Sequence, residues 1–242
     1  MTQNVPLIQH PNRMLQILVR GCWRLYRPFL LPRVRRPVTE RVDGFCFAVI
    51  PTVFNPVVFR AGVMLGRAAG RIIPAAGEPD KTMLDMGCGT GIVGAYAARS
   101  GFRVTSVDIN PDAVKVAKAN TLLNDQADRI TVLEGDLFAP LASQKFDLVC
   151  FGPPYFKGPP KDDPLSKAFW SEGVIGRFCR ALPDHLTPNG LALIHMSTDG
   201  DDEGFLESAR DAGFDISVFA RKNYLNEIMS VYELRLPRRA AV

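Results

Sequence analysis

Short apolar runs alternate with longer amphipathic segments along most of the chain. Such runs predict buried strands, and segments with a helical period predict helices. Strands are predicted at residues 45–50, 83–86, 104–109, 130–133, 146–151, 191–196, 214–219 and 229–234. Helices are predicted to begin at Asn55-Pro56 and to span residues 92–99, 111–124, 167–185 and 202–212.

Strands and helices alternate from residue 83 onward. This order predicts an α/β fold with a doubly wound, mainly parallel sheet of seven strands. The last two predicted strands have no helical pattern between them, so we expect an antiparallel edge at the C-terminal end of the sheet.

Residues 1–37 form a separate helical pattern, and we therefore divide the chain into an N-terminal arm (1–37) and a domain (38–242). The apolar residues of one predicted helix face are Met14, Leu15, Leu18, Cys22, Leu25 and Phe29, and the opposite face carries Arg20, Arg24 and Arg27. Pro28 is expected to kink or end this helix. The face either packs on its own domain, or serves as a surface for lipid headgroups or an acidic partner, or covers the substrate site as a lid.

Charge separates the arm from the rest of the 242-residue chain. Residues 1–39 hold seven arginines and no acidic residue. Because the chain's net charge is only +4, residues 40–242 carry a net charge of −3. The arginines are few and no aromatic side chains interleave with them as a stacking platform, so a nucleic-acid partner is not expected.

The cysteine pattern and the hydropathy indicate a reduced, cytoplasmic protein. The five cysteines show no C-x-x-C spacing, and we predict no metal site. No signal peptide and no run of 18 apolar residues is present, so neither export nor a membrane span is expected. Peripheral contact with a membrane through residues 13–36 remains open, and the oligomeric state is not indicated.

The sequence Asp85-Met86-Gly87-Cys88-Gly89-Thr90-Gly91 joins a predicted strand to a predicted helix. Glycines at alternate positions allow a tight turn and a close approach of the backbone to a ligand. Gly89, Gly91 and Gly94 also fit the dinucleotide pattern G-x-G-x-x-G. A carboxylate at Asp85 would oppose a pyrophosphate, but it suits the ammonium and sulfonium charges of S-adenosylmethionine, which we predict as the cofactor.

Two further carboxylates follow the next two strands in order. Asp108 lies about 20 residues past the glycines, where a carboxylate binds ribose hydroxyls, and Ile109 follows it. Asp136 is placed to accept a hydrogen bond from the adenine amino group, with Leu137 against the ring. The spacing of Asp136 is typical of methyltransferases. Simple turn or strand-end roles for these residues are the alternatives.

The fourth motif is Gly152-Pro153-Pro154-Tyr155-Phe156, at the end of a predicted strand. Ligands of open α/β sheets lie beyond these strand ends, and two prolines stiffen the loop there. Tyr155 and Phe156 offer flat faces for a planar acceptor, with Trp170 as a further wall. His195, near the end of the fifth strand of the domain, is predicted to face the cleft and is the candidate base.

Together these motifs resemble class I S-adenosylmethionine-dependent methyltransferases, and within them the HemK-type group that methylates glutamine amide nitrogen in peptide release factors. The resemblance covers roughly residues 45–236. It implies a Rossmann-like methyltransferase domain, cofactor contacts from Asp85, Gly87, Cys88, Gly89, Gly91, Asp108, Ile109, Asp136, Leu137 and Gly152, and release of S-adenosylhomocysteine. It also implies acceptor contacts at Pro153, Pro154 and Tyr155.

The chain departs from this group at Gly152, where the group carries Asn (sometimes Asp or Ser). It also has Val57-Val58-Phe59 where the group tends to carry an acidic-Thr pair. Losing the Asn side chain weakens recognition of an NH₂ group. Our first expectation is therefore methylation of a nitrogen or oxygen of a small or lipid-like acceptor. The alternatives are a HemK-type protein-glutamine methyltransferase and a non-catalytic cofactor-binding protein.

Overall fold

The computed structural model describes residues 6–75, 81–154 and 173–237. Within them the helices are α1 (Arg13–Arg35), α2 (Ala61–Ala69), α3 (Ile92–Arg99), α4 (Pro111–Leu123), α5 (Val174–Ala181) and α6 (Asp202–Asp211). The strands are β1 (Val38–Val42), β2 (Phe45–Val49), β3 (Thr82–Met86), β4 (Arg103–Asp108), β5 (Ile130–Glu134), β6 (Phe146–Phe151), β7 (Leu186–Ser197), β8 (Asp215–Asn223) and β9 (Ile228–Arg235).

Seven strands form one sheet in the order β5-β4-β3-β6-β7-β9-β8. Strands β3 to β7 run parallel to one another, whereas β9 is antiparallel to both β7 and β8. The predicted α/β sheet with an antiparallel C-terminal edge is confirmed. The parallel strands all end at one edge of the sheet, which we call the carboxyl edge, and the sequence motifs follow there.

Apolar side chains cover both faces of this sheet. On one face α2 and α3 contribute Leu65 and Tyr96 to a core that also holds Leu193 of β7. On the other face α5 and α6 contribute Phe178 and Phe205, and Phe205 packs against the ring of Tyr232. Burial on both faces explains why the parallel strands have nearly continuous apolar sequences.

The segment between the arm and the sheet departs from the prediction. Strands β1 and β2 form a separate antiparallel hairpin, of which only β2 was predicted. The helix expected at Asn55-Pro56 begins at Ala61 instead, because the Asn55 Oδ1 accepts hydrogen bonds from the backbone N–H groups of Val57 and Val58 and forms a turn. The predicted helix at residues 167–185 is seen as α5 and a 3₁₀ turn at Leu182–His185, and residues 167–172 lie outside the described residues.

The predicted helix of the arm is present as α1, capped by the Asn12 side chain. Pro28 was predicted to kink or end the helix, and it does not end it, because α1 extends to Arg35. Contacts at both ends join α1 to the rest of the chain: the Gln16 Nε2 donates to the Asn226 carbonyl at 2.9 Å, and Arg33 forms an ion pair with Glu40. A domain boundary at residue 37 stays a prediction. None of the helices in the described ranges combines the length and apolar character needed to cross a bilayer.

Candidate functional site

The carboxyl edge brings the four predicted motifs next to one another. Residues 87–91 follow β3, Asp108 ends β4, residues 135–137 follow β5, and residues 152–154 follow β6. In the sheet β3 lies between β4 and β6. The glycine loop is therefore flanked by the Asp108 strand end on one side and by the Gly152 loop on the other, the position where open α/β sheets bind ligands.

Positive φ angles at Gly87, Gly89 and Gly91, of 64°, 54° and 78°, shape the glycine loop. A Cβ added at Gly87 would lie 3.2 Å from the Phe151 ring, whereas at Gly89 it would meet no atom within 4 Å. The backbone at Gly89 therefore borders open space. Gly91 is the N-cap residue of α3 and has no side chain to bond the first N–H groups of the helix, of which the Gly94 N–H is bonded by Asp85.

Asp85 and Cys88 are both buried at the glycine loop. The Asp85 Oδ2 accepts a hydrogen bond from the Gly94 N–H at 2.9 Å and so ties β3 to the first turn of α3. Burial is the largest cause that raises the pKa of Asp85 to about 7, and burial also raises the pKa of the Cys88 thiol. The sequence predicted contact between Asp85 and cationic groups. The geometry gives this carboxylate a structural role beneath α3 as well.

Asp108 joins two loops of the edge. Its Oδ2 accepts from the Gly89 N–H at 2.8 Å, and its Oδ1 accepts from the Asn110 N–H at 2.9 Å. Burial raises the pKa of this carboxyl, and the backbone hydrogen bonds oppose that effect. The neighbouring Ile109 side chain is 57% exposed. An acceptor group and an exposed apolar surface thus lie side by side, as a ribose and a planar base require.

Asp136 is bonded to a residue that the sequence interpretation did not include. The Arg177 guanidinium of α5 donates to both carboxylate oxygens, at 2.7 and 3.3 Å. Leu137 has a positive φ of 49°, and Phe138 stacks between Phe178 and His185. The Asp136 carboxylate is therefore oriented by Arg177 and not free for adenine alone, although each oxygen retains further acceptor capacity. No motif links these two residues, which are 41 positions apart.

The loop after β6 is described as far as Pro154. Gly152 is exposed, and a Cβ there would meet only the Leu65 Cδ2, at 3.8 Å. An added Cβ would therefore be in ordinary van der Waals contact with the described residues. The predicted acceptor residues Tyr155, Phe156 and Trp170 lie outside the described residues.

His195 lies near the end of β7, but its surroundings differ from the prediction. Its side chain has no exposed surface, so the expectation that it faces an open cleft is wrong. Burial lowers the pKa of His195 to about 4, and the ring is neutral near pH 7. The alternation along β7 places it on the same sheet face as Leu193, which packs in the core beside α2. A role as proton acceptor stays a prediction.

A polar group beyond the end of β7 was missed by the sequence interpretation. The Ser197 hydroxyl donates to the Glu227 Oε2 at 2.6 Å, and burial raises the pKa of Glu227. The guanidinium carbon of Arg60 lies 4.6 Å from the centre of the Tyr224 ring. β9 begins at the carboxyl edge because it is antiparallel to β7, so these residues border the Gly152 side of the site. Ser197, Tyr224 and Glu227 lie at strand ends in the sequence, whereas Arg60 precedes α2.

Comparisons with known proteins agree with this geometry. Residues 71–198 match the model of the methyltransferase small domain. A Methanocaldococcus jannaschii protein with the provisional name protein N5-glutamine methyltransferase is 33% identical over 168 residues, 65% of this chain and 83% of that protein. A ribosomal protein uL3 glutamine methyltransferase of Bradyrhizobium diazoefficiens is 33% identical over 52% of this chain and 44% of that protein. Other relatives are tRNA and ribosomal RNA methyltransferases by name.

Among solved structures, the Thermus thermophilus 16S rRNA N2 G1207 methyltransferase, in complex with S-adenosylmethionine and guanosine, has the same fold. Its TM-score is 0.61 at 19% identity, over 84% of this chain and 50% of that one. The chain is thus an S-adenosylmethionine-dependent methyltransferase of Rossmann-like fold, with HemK-type relatives. It belongs to the methyltransferase small domain family.

Proposed function

We propose that this enzyme transfers the methyl group of S-adenosylmethionine to the side-chain amide nitrogen of a glutamine in a protein. The proposal is based on the contact between the two central loops. Met86 pairs with Phe151 across β3 and β6, and the Gly87 backbone lies against the Phe151 ring. A methyl donor held along the glycine loop would therefore have its reactive end beside residues 152–154.

The proposed cofactor contacts use groups already oriented by the fold. The Asp108 carboxylate, fixed by two backbone N–H groups, would accept from the ribose hydroxyls. Ile109 and Leu137 would flank the adenine, and Asp136, held by Arg177, would accept from its amino group. The complete proposed set is Asp85, Gly87, Cys88, Gly89, Gly91, Asp108, Ile109, Asp136, Leu137 and Gly152.

The proposed acceptor site lies on the β6 and β7 side. The backbone carbonyl of Pro153 would accept one N–H group of an amide, and Pro154, Tyr155, Phe156 and Trp170 would form the walls. In the proposed step the amide nitrogen would attack the methyl carbon as its bond to the sulfonium sulfur breaks, S-adenosylhomocysteine would leave, and the nitrogen would lose one proton to solvent. The protein contributes mainly position and electrostatics to such an in-line displacement. Glu227 and Ser197 would supply polar groups to the acceptor from the ends of the strands next to β6.

The identity of the relatives supports a protein acceptor over the small or lipid-like acceptor that the sequence first suggested. The M. jannaschii relative, of which the alignment covers 83%, is named for glutamine N5 methylation. The relatives cited above are named for protein or RNA substrates, and none for a lipid. The space beside Gly152 also leaves the backbone accessible to an amide.

The test follows transfer of a labelled methyl group from S-adenosylmethionine to purified release factor and to ribosomal protein uL3. We expect labelling of one glutamine in at least one of these proteins and none after that glutamine is replaced by alanine. Calorimetry with S-adenosylmethionine provides the control for cofactor binding. Normal cofactor binding without labelling of either protein would refute the glutamine proposal, and absence of cofactor binding would refute catalysis by this domain.

Gly152→Asn sharpens the test, because the Cβ position has room for it. The variant should leave the cofactor Kd unchanged and increase kcat/KM for the glutamine substrate about tenfold, the value of roughly one additional hydrogen bond. A decrease in kcat/KM with unchanged cofactor binding would show that the acceptor needs the space that Gly152 leaves.

A further inference from the structure

Helix α1 carries a row of large apolar side chains that do not pack on the rest of the protein. We call this row the apolar stripe; its residues are Met14, Leu15, Ile17, Leu18 and Phe29. Four of them, Met14, Ile17, Leu18 and Phe29, are 77%, 72%, 66% and 77% exposed. The expectation that this face packs on its own domain is therefore wrong for its described side chains. Exposed apolar rows of this length indicate an interaction site.

Residues outside the apolar stripe make the contacts that hold α1. Gln16 bonds to the Asn226 carbonyl, and at 100° per residue it points about 200° away from Met14. Near the other end, the Asn55 Nδ2 donates to the Arg33 carbonyl at 3.3 Å, and Arg33 pairs with Glu40. Since α1 is anchored at both ends, its exposed row is a defined surface of the folded protein.

The positive charge of the arm indicates an anionic partner. Residues 1–39 contain seven arginines, no lysine and no acidic residue. Arg13 and Arg35 are exposed at the two ends of α1. An apolar row flanked by arginines matches helices that lie in the interface of anionic membranes, where side chains enter the acyl boundary and guanidinium groups bind phosphates. RNA would pair with the arginines but leave Met14, Ile17 and Leu18 in water.

The anchors of α1 also place it at the carboxyl edge. Asn226 immediately precedes β9, which begins at this edge. Asn55 belongs to the segment whose Thr52 carbonyl accepts a hydrogen bond from Asn110, the cap of α4 after Asp108. A surface that contacts the apolar stripe would therefore lie near the candidate site.

We propose that α1 docks this enzyme onto anionic membrane surfaces through the apolar stripe, with its arginines on the lipid phosphates. The proposal does not depend on the identity of the methyl acceptor. The docked helix lies parallel to the membrane and does not cross it. Docking would hold the opening of the candidate site close to the lipid headgroups.

The experiment measures co-sedimentation of the full chain with vesicles of equimolar phosphatidylglycerol and phosphatidylcholine, and with vesicles of phosphatidylcholine alone. We expect binding to the anionic vesicles, weakened at least tenfold at high salt because screening reduces the arginine contribution. The double substitution Ile17→Asp and Leu18→Asp should reduce vesicle binding at least tenfold, as the apolar contribution is replaced by charge.

Leu122→Asp is the matched control, since Leu122 is 68% exposed on α4 and belongs to no proposed site. It should leave vesicle binding unchanged, and S-adenosylmethionine binding should be normal in all variants. The proposal is overturned if the wild-type protein does not bind anionic vesicles, or if Leu122→Asp weakens binding as much as the double substitution. Two further results would overturn it: tighter binding of structured RNA than of vesicles through the same residues, and a dimer that dissociates on Ile17→Asp, which would identify a second copy as the occupant.

Discussion

The two halves of the carboxyl edge are built in different ways. On the cofactor half, at the ends of β3 and β4, backbone N–H groups hold two functional carboxylates: Gly94 binds Asp85, and Gly89 and Asn110 bind Asp108. On the acceptor half, at the ends of β6 to β9, Gly152 offers no side chain, and the nearby polar pair of Ser197 and Glu227 is 30 positions apart in sequence.

This difference indicates that binding of the methyl donor and choice of the acceptor can change independently. The cofactor half depends on positive φ angles at glycines and on carboxylates at strand ends. Few substitutions at these positions would keep the same backbone and hydrogen bonds. The acceptor half depends on side chains presented by β7 and β9, which can be exchanged without altering the sheet. Four substitutions test the separation, in order of decreasing expected effect.

Asp108→Ala should have the largest effect. It removes the acceptor proposed for the ribose hydroxyls and leaves the N–H groups of Gly89 and Asn110 without their partner. We expect a loss of about 3 kcal/mol in cofactor binding, about a hundredfold in Kd, measured by calorimetry. Asp128→Ala, an exposed carboxylate between α4 and β5, is the control and should change Kd less than about twofold. Equal effects of the two substitutions would contradict the site.

Asp85→Asn should separate binding from stability. Burial raises the pKa of Asp85 from 3.8 to about 7, so the folded protein holds this proton more tightly than the unfolded chain. This difference in pKa stabilises the folded protein fully below pH 3.8, and the stabilisation is lost as pH rises to about 7. Asparagine can still accept the Gly94 hydrogen bond without carrying a charge.

Above pH 7 the Asp85→Asn variant should therefore be more stable than the wild type by about 1–3 kcal/mol, with a smaller difference as pH falls. Its cofactor Kd should nevertheless rise about tenfold, because a negative charge near the cationic groups is lost. Thermal unfolding across pH and calorimetry measure the two effects. A variant that is less stable than the wild type at every pH would refute the conclusion that the ionised Asp85 carboxylate destabilises the folded protein above pH 7.

Glu227→Gln should affect only the acceptor half. The substitution keeps the shape and the contact with Ser197 but removes the charge. We expect KM for the methyl acceptor to rise about tenfold with an unchanged cofactor Kd, since hydrogen bonds to a charged group contribute about 1.5–3 kcal/mol. Glu207→Gln, exposed on α6, provides the control. A change in cofactor Kd would show that the two halves are not separate.

Arg177→Met should have the smallest effect. Arg177 and Asp136 are nearly half exposed, at 48% and 45%, so solvent screens their ion pair. We predict a rise of about two- to fivefold in cofactor Kd, because Asp136 loses its orientation but remains an acceptor. If the variant bound the cofactor more tightly, Arg177 would compete with the adenine amino group for Asp136. It would then not orient this carboxylate for cofactor binding.

The fold was predictable in large part because its strongest signals are local. Helix α3 has the predicted bounds, and β6 spans the predicted residues. Strand β1 was missed because its sequence Val-Thr-Glu-Arg-Val places a charge at its centre. Glu40 is nevertheless only 5% exposed, since Arg33 of α1 and Asn55 both bind its carboxylate. No sequence period reports such a pairing.

In the candidate site, too, local features were predictable and long-range contacts were not. The three glycines could be identified from sequence, because their positive φ angles are a requirement of the local turn. The burial of His195 and the bond from Arg177 to Asp136 could not, because each depends on which face of a strand or helix meets another element. The exposure of the α1 stripe belongs to this second group, as an amphipathic pattern predicts an apolar face but not what that face meets.

The sequence by itself determined the class of this enzyme. The order of glycines and carboxylates at successive strand ends follows from chain connectivity, and a parallel sheet must bring those ends to one edge. Only the tertiary structure decided what surrounds the Gly152 loop and where α1 presents its apolar residues. Those features depend on contacts between residues far apart in sequence, whose free energies are set by packing and burial after the chain has folded.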